Sequence, residues 1–146
     1  MAFYGSGAGI NALVQGTNGT DVSTTSNRNL SSSFVTHLSR TLTVPSGHTS
    51  HVLCIGHFAQ ARENSNGGYE TRCVVSGSAS HTGATFQNHR GYEDHDGGGQ
   101  SPLWAFTLGA GSYTFSLQVR KHLGDVELNG NGGTDTFVVQ AFHVRD

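Results

Sequence analysis

The densest set of ionisable side chains lies in one glycine-rich stretch, Tyr92-Glu93-Asp94-His95-Asp96, which Gly97 to Gly99 follow. Its three carboxylates and one imidazole could bind a cation, because calcium accepts several oxygen ligands in a flexible geometry. The spacing differs from that of an EF-hand loop, which needs a glutamate six residues after its central glycine. Three interpretations of the stretch therefore stay open: it binds calcium, it contacts a ligand, or it is a solvated loop. The sequence does not require a cofactor.

Tyrosines beside polar loops can stack on a sugar ring, and Tyr69 and Tyr92 have that position. Trp104, Phe106 and Phe115 fall within strand-like segments, which favours a place in the core. The candidate ligand-binding residues are therefore the two tyrosines and the acidic stretch, namely Tyr69, Tyr92, Glu93, Asp94, His95 and Asp96.

Nine histidines are scattered along the chain, and none forms a His-x-His pair or a His-Glu-x-x-His motif. A metal site needs three or four convergent ligands, and His48 and His51, which flank a turn, are the closest approach to such a set. The favoured interpretation is that the histidines form hydrogen bonds on polar sheet faces. In a trimer, one inward-facing histidine would become three around the axis, so the metal-binding residues stay unknown.

Catalytic signatures are weak. No Gly-x-Ser-x-Gly elbow joins a strand to a helix, and nothing selects two of the glutamates as a glycosidase pair. The sequence therefore predicts a protein that is not an enzyme and has no catalytic residues.

Cys54 and Cys73 occupy core-facing positions of predicted strands, where buried free thiols are favoured over a disulfide.

The elements that position these residues are short strands. Phe34 to Val44 alternates, with Phe34, Leu38, Leu42 and Val44 on one face. Asn66-Gly67 predicts a hairpin between the strands on either side of it. Ser112 to Arg120 alternates most clearly, and Thr134 to Val144 carries apolar residues of both parities.

About eight such strands without a convincing helix predict an all-β fold, an antiparallel β-sandwich of jelly-roll type. Residues 1–33 are rich in Gly, Ser and Thr and lack a sustained period, so they are predicted to form an N-terminal arm before a domain at 34–146. Deleting this arm is expected to leave the domain folded.

The strand Gly111-Ser112-Tyr113-Thr114-Phe115-Ser116-Leu117-Gln118 and the segment Leu42 to Gly47 resemble the strand pattern of small β-sandwich modules in tailed-bacteriophage virion proteins. Those modules occur in head fibres, tail fibres and spikes and are commonly trimeric. The Gly-x-Tyr-x-Phe strand is also similar to the C1q/TNF-like jelly roll. The resemblance covers residues 36–144 and assigns no role to an individual residue.

The composition excludes nucleic-acid binding and membrane insertion. Charged residues make up 12% and the net charge is −2, which gives no basic footprint for nucleic acid. No apolar run is long enough for membrane insertion.

The resemblance implies a non-enzymatic virion protein (fibre, spike or capsid decoration), assembled in the host cytoplasm and displaying loops for attachment to a host-surface glycan.

The expected partners are copies of the same chain and other virion proteins. Strands that are apolar on both parities need a second cover, which a homo-oligomer would supply, and the resemblance favours a trimer. The arm would dock to the other virion proteins. A stand-alone carbohydrate-binding module or lectin is the alternative function.

Overall fold

The computed structural model describes residues 15–63, 67–89, 96–98, 100–129 and 133–146. These residues form strands and connecting segments, with no helix among them. The strands are β1 (Gln15–Thr24), β2 (Arg28–Asn29), β3 (Val35–Val44), β4 (His48–His57), β5 (Gln60–Glu63), β6 (Gly68–Gly77), β7 (His81–Thr82), β8 (Phe86–His89), β9 (Asp96–Gly98), β10 (Leu103–Leu108), β11 (Gly111–Leu123), β12 (Val126–Leu128) and β13 (Asp135–Arg145).

The strands form two large antiparallel sheets and one small sheet. Sheet 1 has the order β1-β13-β4-β10, and sheet 2 has the order β3-β11-β6, with β7 and β8 both paired to the free edge of β6. Sheet 3 joins the short strands in the order β2-β12-β5-β9. The predicted all-β sandwich is confirmed.

The pairing of the long strands is that of a jelly roll. If β7 and β8 count as one interrupted strand, the described residues contain eight principal strands. The first pairs with the eighth (β1 with β13), the second with the seventh (β3 with β11), the third with the sixth (β4 with β10) and the fourth with the fifth (β6 with β7 and β8). This nested pairing produces the two-sheet jelly-roll architecture.

The core lies between sheets 1 and 2, because alternate side chains of β4, β6, β10, β11 and β13 point inward. In β11 these are Tyr113, Phe115, Leu117 and Val119, all of them buried as the alternation predicts. Phe115 contacts Phe106 of sheet 1, with 6.2 Å between the ring centroids. Burial of such side chains is the main favourable contribution to the stability of the sandwich.

Residues 15–33 belong to the folded domain, contrary to the predicted boundary at residue 33. β1 pairs with β13 over nearly its whole length, β2 pairs with β12, and Leu30 is buried in the core. The sequence of β1, QGTNGTDVST, has Val22 as its only aliphatic residue, so an apolar period does not reveal this edge strand. Residues 1–14 lie outside the described residues, so an arm confined to them stays a prediction.

The predicted hairpin at Asn66-Gly67 is wrong, because the strands before and after it lie in different sheets. β5 pairs with β12 and β9 in sheet 3, whereas β6 pairs with β11 in sheet 2.

A register shift in β3 moves Phe34 away from the face predicted for it. Leu117 is paired with Leu38 and Gln118 with Thr36, so His37 is the extra residue of a β-bulge. Leu38 and Val44 still point into the core, but residues before the bulge are out of phase with them. Phe34 consequently lies on the outer face of sheet 2, against two arginines.

Cys54 and Cys73 are fully buried free thiols, as predicted. They belong to β4 of sheet 1 and β6 of sheet 2. A hydrogen bond to Cys73, together with burial, raises the pKa of the Cys54 thiol. The thiolate is therefore suppressed and the pair packs as small apolar side chains.

Candidate functional site

The acidic stretch singled out by the sequence is described only at its end. Tyr92, Glu93, Asp94 and His95 lie outside the described residues. Asp96 begins β9, where its backbone is in register with Arg62 of β5. Convergence of these carboxylates on a cation or ligand therefore stays a prediction.

Tyr69 is a core residue, and its predicted accessibility for stacking on a glycan is wrong. Its side chain is fully buried and meets the ring of Phe58 edge-on, with 5.6 Å between the centroids. Its hydroxyl accepts a hydrogen bond of 3.2 Å from Asn88 Nδ2. Although Tyr69 adjoins a polar segment in sequence, it falls on the inward-facing parity of β6, so neither face of its ring is available to a ligand.

The histidines pair with different partners instead of converging. His48 lies beside His143, with 6.4 Å between the ring centroids, whereas His51 Nδ1 lies 3.3 Å from the Thr107 hydroxyl. Within the part of the chain that the structure describes, no group of three or more His, Cys, Asp or Glu side chains could hold a metal ion.

Two buried histidines have polar partners inside the sandwich. His37 Nε2 lies 2.7 Å from Asp135 Oδ2, and the other oxygen of that carboxylate accepts a hydrogen bond of 2.9 Å from the Ala59 amide. This pair links β3, β13 and the segment after β4. Removal of either partner would leave a buried polar group without its bond, which is costly.

The second pair, Ser50 and His143, is a serine–histidine arrangement within the core. The Ser50 hydroxyl is hydrogen-bonded to His143 Nδ1, and both residues are buried. Burial, and to a smaller extent the neighbouring His48, lowers the pKa of His143, so the imidazole is neutral at pH 7. Because a substrate carbonyl cannot reach a fully buried hydroxyl, this pair contributes to packing and not to acyl transfer.

The outward side of sheet 1 carries apolar side chains on three adjacent strands. It presents Leu53 and Ile55 of β4, Val138, Phe142 and Val144 of β13, and Leu103 and Ala105 of β10. The strand register places Ile55 between Leu103 and Val138, and Leu53 between Ala105 and Gln140. Phe142 and Val144 are opposite His51 and Thr49 of β4. Leu103 is 51% exposed. We call this set the sheet 1 outer face.

Charged residues are absent from the outward positions of β4, β10 and β13, whereas Asp21 of the edge strand β1 is in register with Val138. The outward positions of β4, β10 and β13 between Thr49 and His57, Leu103 and Thr107, and Thr136 and Val144 include no Lys, Arg, Asp or Glu. Depletion of charged residues is a property of interface cores, whereas the solvated face of an antiparallel sheet is normally polar. The sheet 1 outer face thus has the composition of a surface that becomes covered.

The edge of sheet 1 at β10 adds unpaired backbone to this surface. Gly56 N donates to Pro102 O and Phe58 N to Gln100 O, at 3.0 and 2.9 Å, which fixes the phase of pairing between β4 and β10. The amides and carbonyls of Leu103, Ala105 and Thr107 therefore point away from β4. Among the described residues no strand pairs with this edge, and such an edge can accept a strand from another chain.

The outer face of sheet 2 differs in kind. Ser39, Thr41 and Thr43 of β3 are in register with Ser116, Thr114 and Ser112 of β11, which produces a ladder of hydroxyl groups. The Thr43 and Ser112 hydroxyls are 3.2 Å apart. This face is suited to water or to a polar ligand, so the two sides of the sandwich have opposite character.

No protein-family profile matches the sequence, and no curated protein is similar to it. One structural match is to a chain in the "Structure of infectious bursal disease virus Gx strain", with 11% sequence identity and a TM-score of 0.34. The match covers 89% of this chain and 43% of that chain, so the present chain spans less than half of its length. A likeness at that score carries no argument about function. Among the described residues, no helix is long and apolar enough to span a membrane.

Proposed function

We propose that this chain is a non-enzymatic structural subunit of a virus particle, and that it associates with copies of itself through the sheet 1 outer face. The observation that carries the proposal is the charge-free apolar surface formed by β4, β10 and β13. A second copy is the favoured occupant, because a face without charge has neither repulsion against itself nor attraction for an ionic partner.

The fold supports the viral part of the proposal by analogy. Two-sheet jelly rolls recur in viral capsid domains and in lectins, although a fold alone does not define function. The segments that resemble phage virion modules form β11 and the end of β3, which pair with each other in sheet 2. The chain therefore has both the strand pattern and the topology expected of such a module.

The finer assignment is a trimeric fibre, spike or decoration protein of a bacteriophage. In this arrangement the sheet 1 outer faces meet around the three-fold axis, residues 1–14 dock to other virion proteins, and the stretch at 92–96 faces the host surface. Burial of Tyr69 removes one of the two tyrosines on which the lectin alternative rested.

Light scattering coupled to size exclusion tests the association. The wild-type protein is expected to elute with the mass of three 15.4 kDa chains. Leu53→Lys should lower the mass to that of one chain, because a buried unpaired charge disfavours the interface. Thr114→Lys, on the outer face of sheet 2, is the matched control and should leave the mass unchanged. A wild-type mass of one chain at micromolar concentration would overturn the proposed association.

Electron microscopy with an antibody to this chain tests the location. The antibody is expected to label intact virus particles at regular positions. Antigen found only in the soluble fraction of infected cells would contradict a virion role and favour a free-standing binding module.

A further inference from the structure

Two arginine side chains share one phenylalanine ring at an end of the sheet 2 outer face. The guanidinium carbon of Arg72 lies 3.9 Å from the centroid of the Phe34 ring, and that of Arg120 lies 4.5 Å from the same centroid. Cations over an aromatic face are attracted by its quadrupole. The β-bulge at His37, which moves Phe34 to this face, makes the arrangement possible.

Arg120 is already neutralised by a carboxylate. Its Nε donates to Glu70 Oε2 at 2.5 Å, and Gln87 Nε2 donates to the other oxygen of Glu70. The Glu70 side chain is only 5% exposed. Buried carboxylates need such partners, so Arg120 has a structural role as the counter-ion of Glu70.

Arg72 is fixed in place but lacks a counter-ion. Its Nε donates to Gln118 Oε1 at 2.9 Å, and its guanidinium rests on Phe34. Within the described residues, neither terminal Nη group has a hydrogen-bond acceptor and no carboxylate forms an ion pair with Arg72. The group thus has two terminal NH2 groups without an acceptor among the described residues, and its positive charge has no ion-paired carboxylate there, in a chain whose net charge is −2.

A guanidinium of this kind is a selective partner for a planar oxyanion. Its fork matches the two oxygens of a carboxylate, and it loses little further freedom on binding because Phe34 and Gln118 already hold it. Two hydroxyl-bearing residues lie near Gln118 on the same face, since Thr36 is its register partner on β3 and Ser116 is two residues before it on β11. Hydroxyls of that kind complement the hydroxyls of a sugar. The outward neighbours of Arg72 on β6 are Val74 and Glu70, and the Glu70 carboxylate is bound by Arg120.

We propose that Arg72, Phe34 and Gln118 form a recognition site for the carboxylate of an acidic saccharide, with Thr36 and Ser116 available to the sugar hydroxyls. The site lies on sheet 2, away from the proposed interface on sheet 1, and does not depend on the proposed assembly role. It differs as well from the predicted site at 92–96, which rests on carboxylates and would attract a cation.

Binding can be measured with two pairs of probes that differ only in the carboxylate. Sialyllactose is compared with lactose, and trigalacturonate with its methyl ester, by calorimetry and by the NMR shift of the Arg72 Nε–H signal. The acidic member of at least one pair is expected to bind and to shift that signal, while its neutral counterpart does neither.

Three variants separate recognition from bulk charge. Arg72→Gln is expected to weaken binding at least about tenfold, and Arg72→Lys to restore only part of it, since a lysine keeps the charge but loses the fork. Arg145→Gln, which removes an exposed arginine at the end of β13, should bind like the wild type. Circular dichroism confirms that each variant is folded. The proposal is overturned if neither acidic probe binds, if each binds no better than its neutral counterpart, or if Arg145→Gln weakens binding as much as Arg72→Gln.

Discussion

At the scale of single residues, His143 connects the stability of the core to pH. Burial, more than the proximity of His48, lowers its pKa in the folded protein. Unfolding transfers the imidazole to water, where the pKa returns to about 6.5. Below that pH the unfolded chain binds a proton that the folded chain does not, so acidification favours unfolding until the folded-state pKa is passed.

His143→Gln is therefore expected to flatten the pH dependence of stability. Between pH 7.5 and 5.5, the free energy of unfolding of the wild type should fall more steeply than that of the variant, by at most about 1.4 kcal/mol per pH unit. Urea denaturation at several pH values measures both slopes. Parallel slopes would show that His143 does not contribute.

Glu70 adds a second acid-sensitive step at lower pH. Its hydrogen bond from Arg120 lowers its pKa below 4.5, an effect that burial partly opposes. The stabilisation is present above pH 4.5 and is lost as the pH falls through the folded-state pKa. Glu70→Gln should remove this step while leaving the one at His143, and a denaturation series extended to pH 3 distinguishes the two. If Glu70→Gln left the stability profile between pH 4.5 and pH 3 unchanged, the assignment of this step to Glu70 would be wrong.

Gly77 is required by the backbone, whereas Gly109 is not. Gly77 has φ of +118°, and an added Cβ would lie 2.3 Å from the carbonyl oxygen of Ser112. Gly77→Ala should therefore destabilise the protein by about 1–3 kcal/mol from backbone strain alone. Gly109→Ala meets nothing within 4 Å and is the control. Thermal melting should separate the two variants, and equal melting temperatures would contradict the assignment.

At the scale of elements, β1 decides where the domain begins. Deletion of residues 1–14 should leave the domain folded, because every described strand remains. Deletion of residues 1–33 should remove cooperative unfolding, since it takes away β1, β2 and the buried Leu30 and leaves the edge of β13 unpaired. Circular dichroism and urea titration of the two truncated chains test this. A folded 34–146 fragment would restore the boundary predicted from the sequence.

The strands with clear alternation could be predicted from sequence because their side chains face opposite environments. Ser112 to Arg120 lies within β11, and Phe34 to Val44 nearly coincides with β3. β1 could not be predicted, since an edge strand of Gly, Thr and Asn contributes backbone bonds that leave no apolar period. The bulge at His37 was equally hidden, because one extra residue changes the face without changing the composition.

The candidate surfaces depend on register, which single-strand patterns do not contain. Apolar residues of both parities in Thr134 to Val144, which forms most of β13, predicted a second covered face. That these residues lie on one surface with Leu103 of β10 follows only from the strand order β13-β4-β10, which the sequence does not reveal. Likewise, Arg72 and Phe34 are far apart in sequence, and only the order β3-β11-β6 brings them together.

At the scale of the whole molecule, we propose that the two sides of the sandwich have different functions, association for sheet 1 and ligand recognition for sheet 2. The sheet 1 outer face is apolar and charge-free, whereas the sheet 2 outer face carries hydroxyl groups and the arginine pair. If sheet 1 is covered by other copies, every copy presents sheet 2 to solvent. Folding and association are then linked, because burial of sheet 1 stabilises the native state only when subunits meet.

This linkage predicts a melting temperature that depends on protein concentration. A hundredfold increase in wild-type concentration should raise the melting temperature, since mass action favours the associated native state over the unfolded chain. Phe142→Lys places a charge in the centre of the sheet 1 outer face and should abolish the dependence. Ser116→Lys, at an outward position of sheet 2, should preserve it. Differential scanning calorimetry at several concentrations provides the measurement. A wild-type melting temperature that is constant over this range would mean that the apolar face is stable without a second subunit, and that it is covered within one chain.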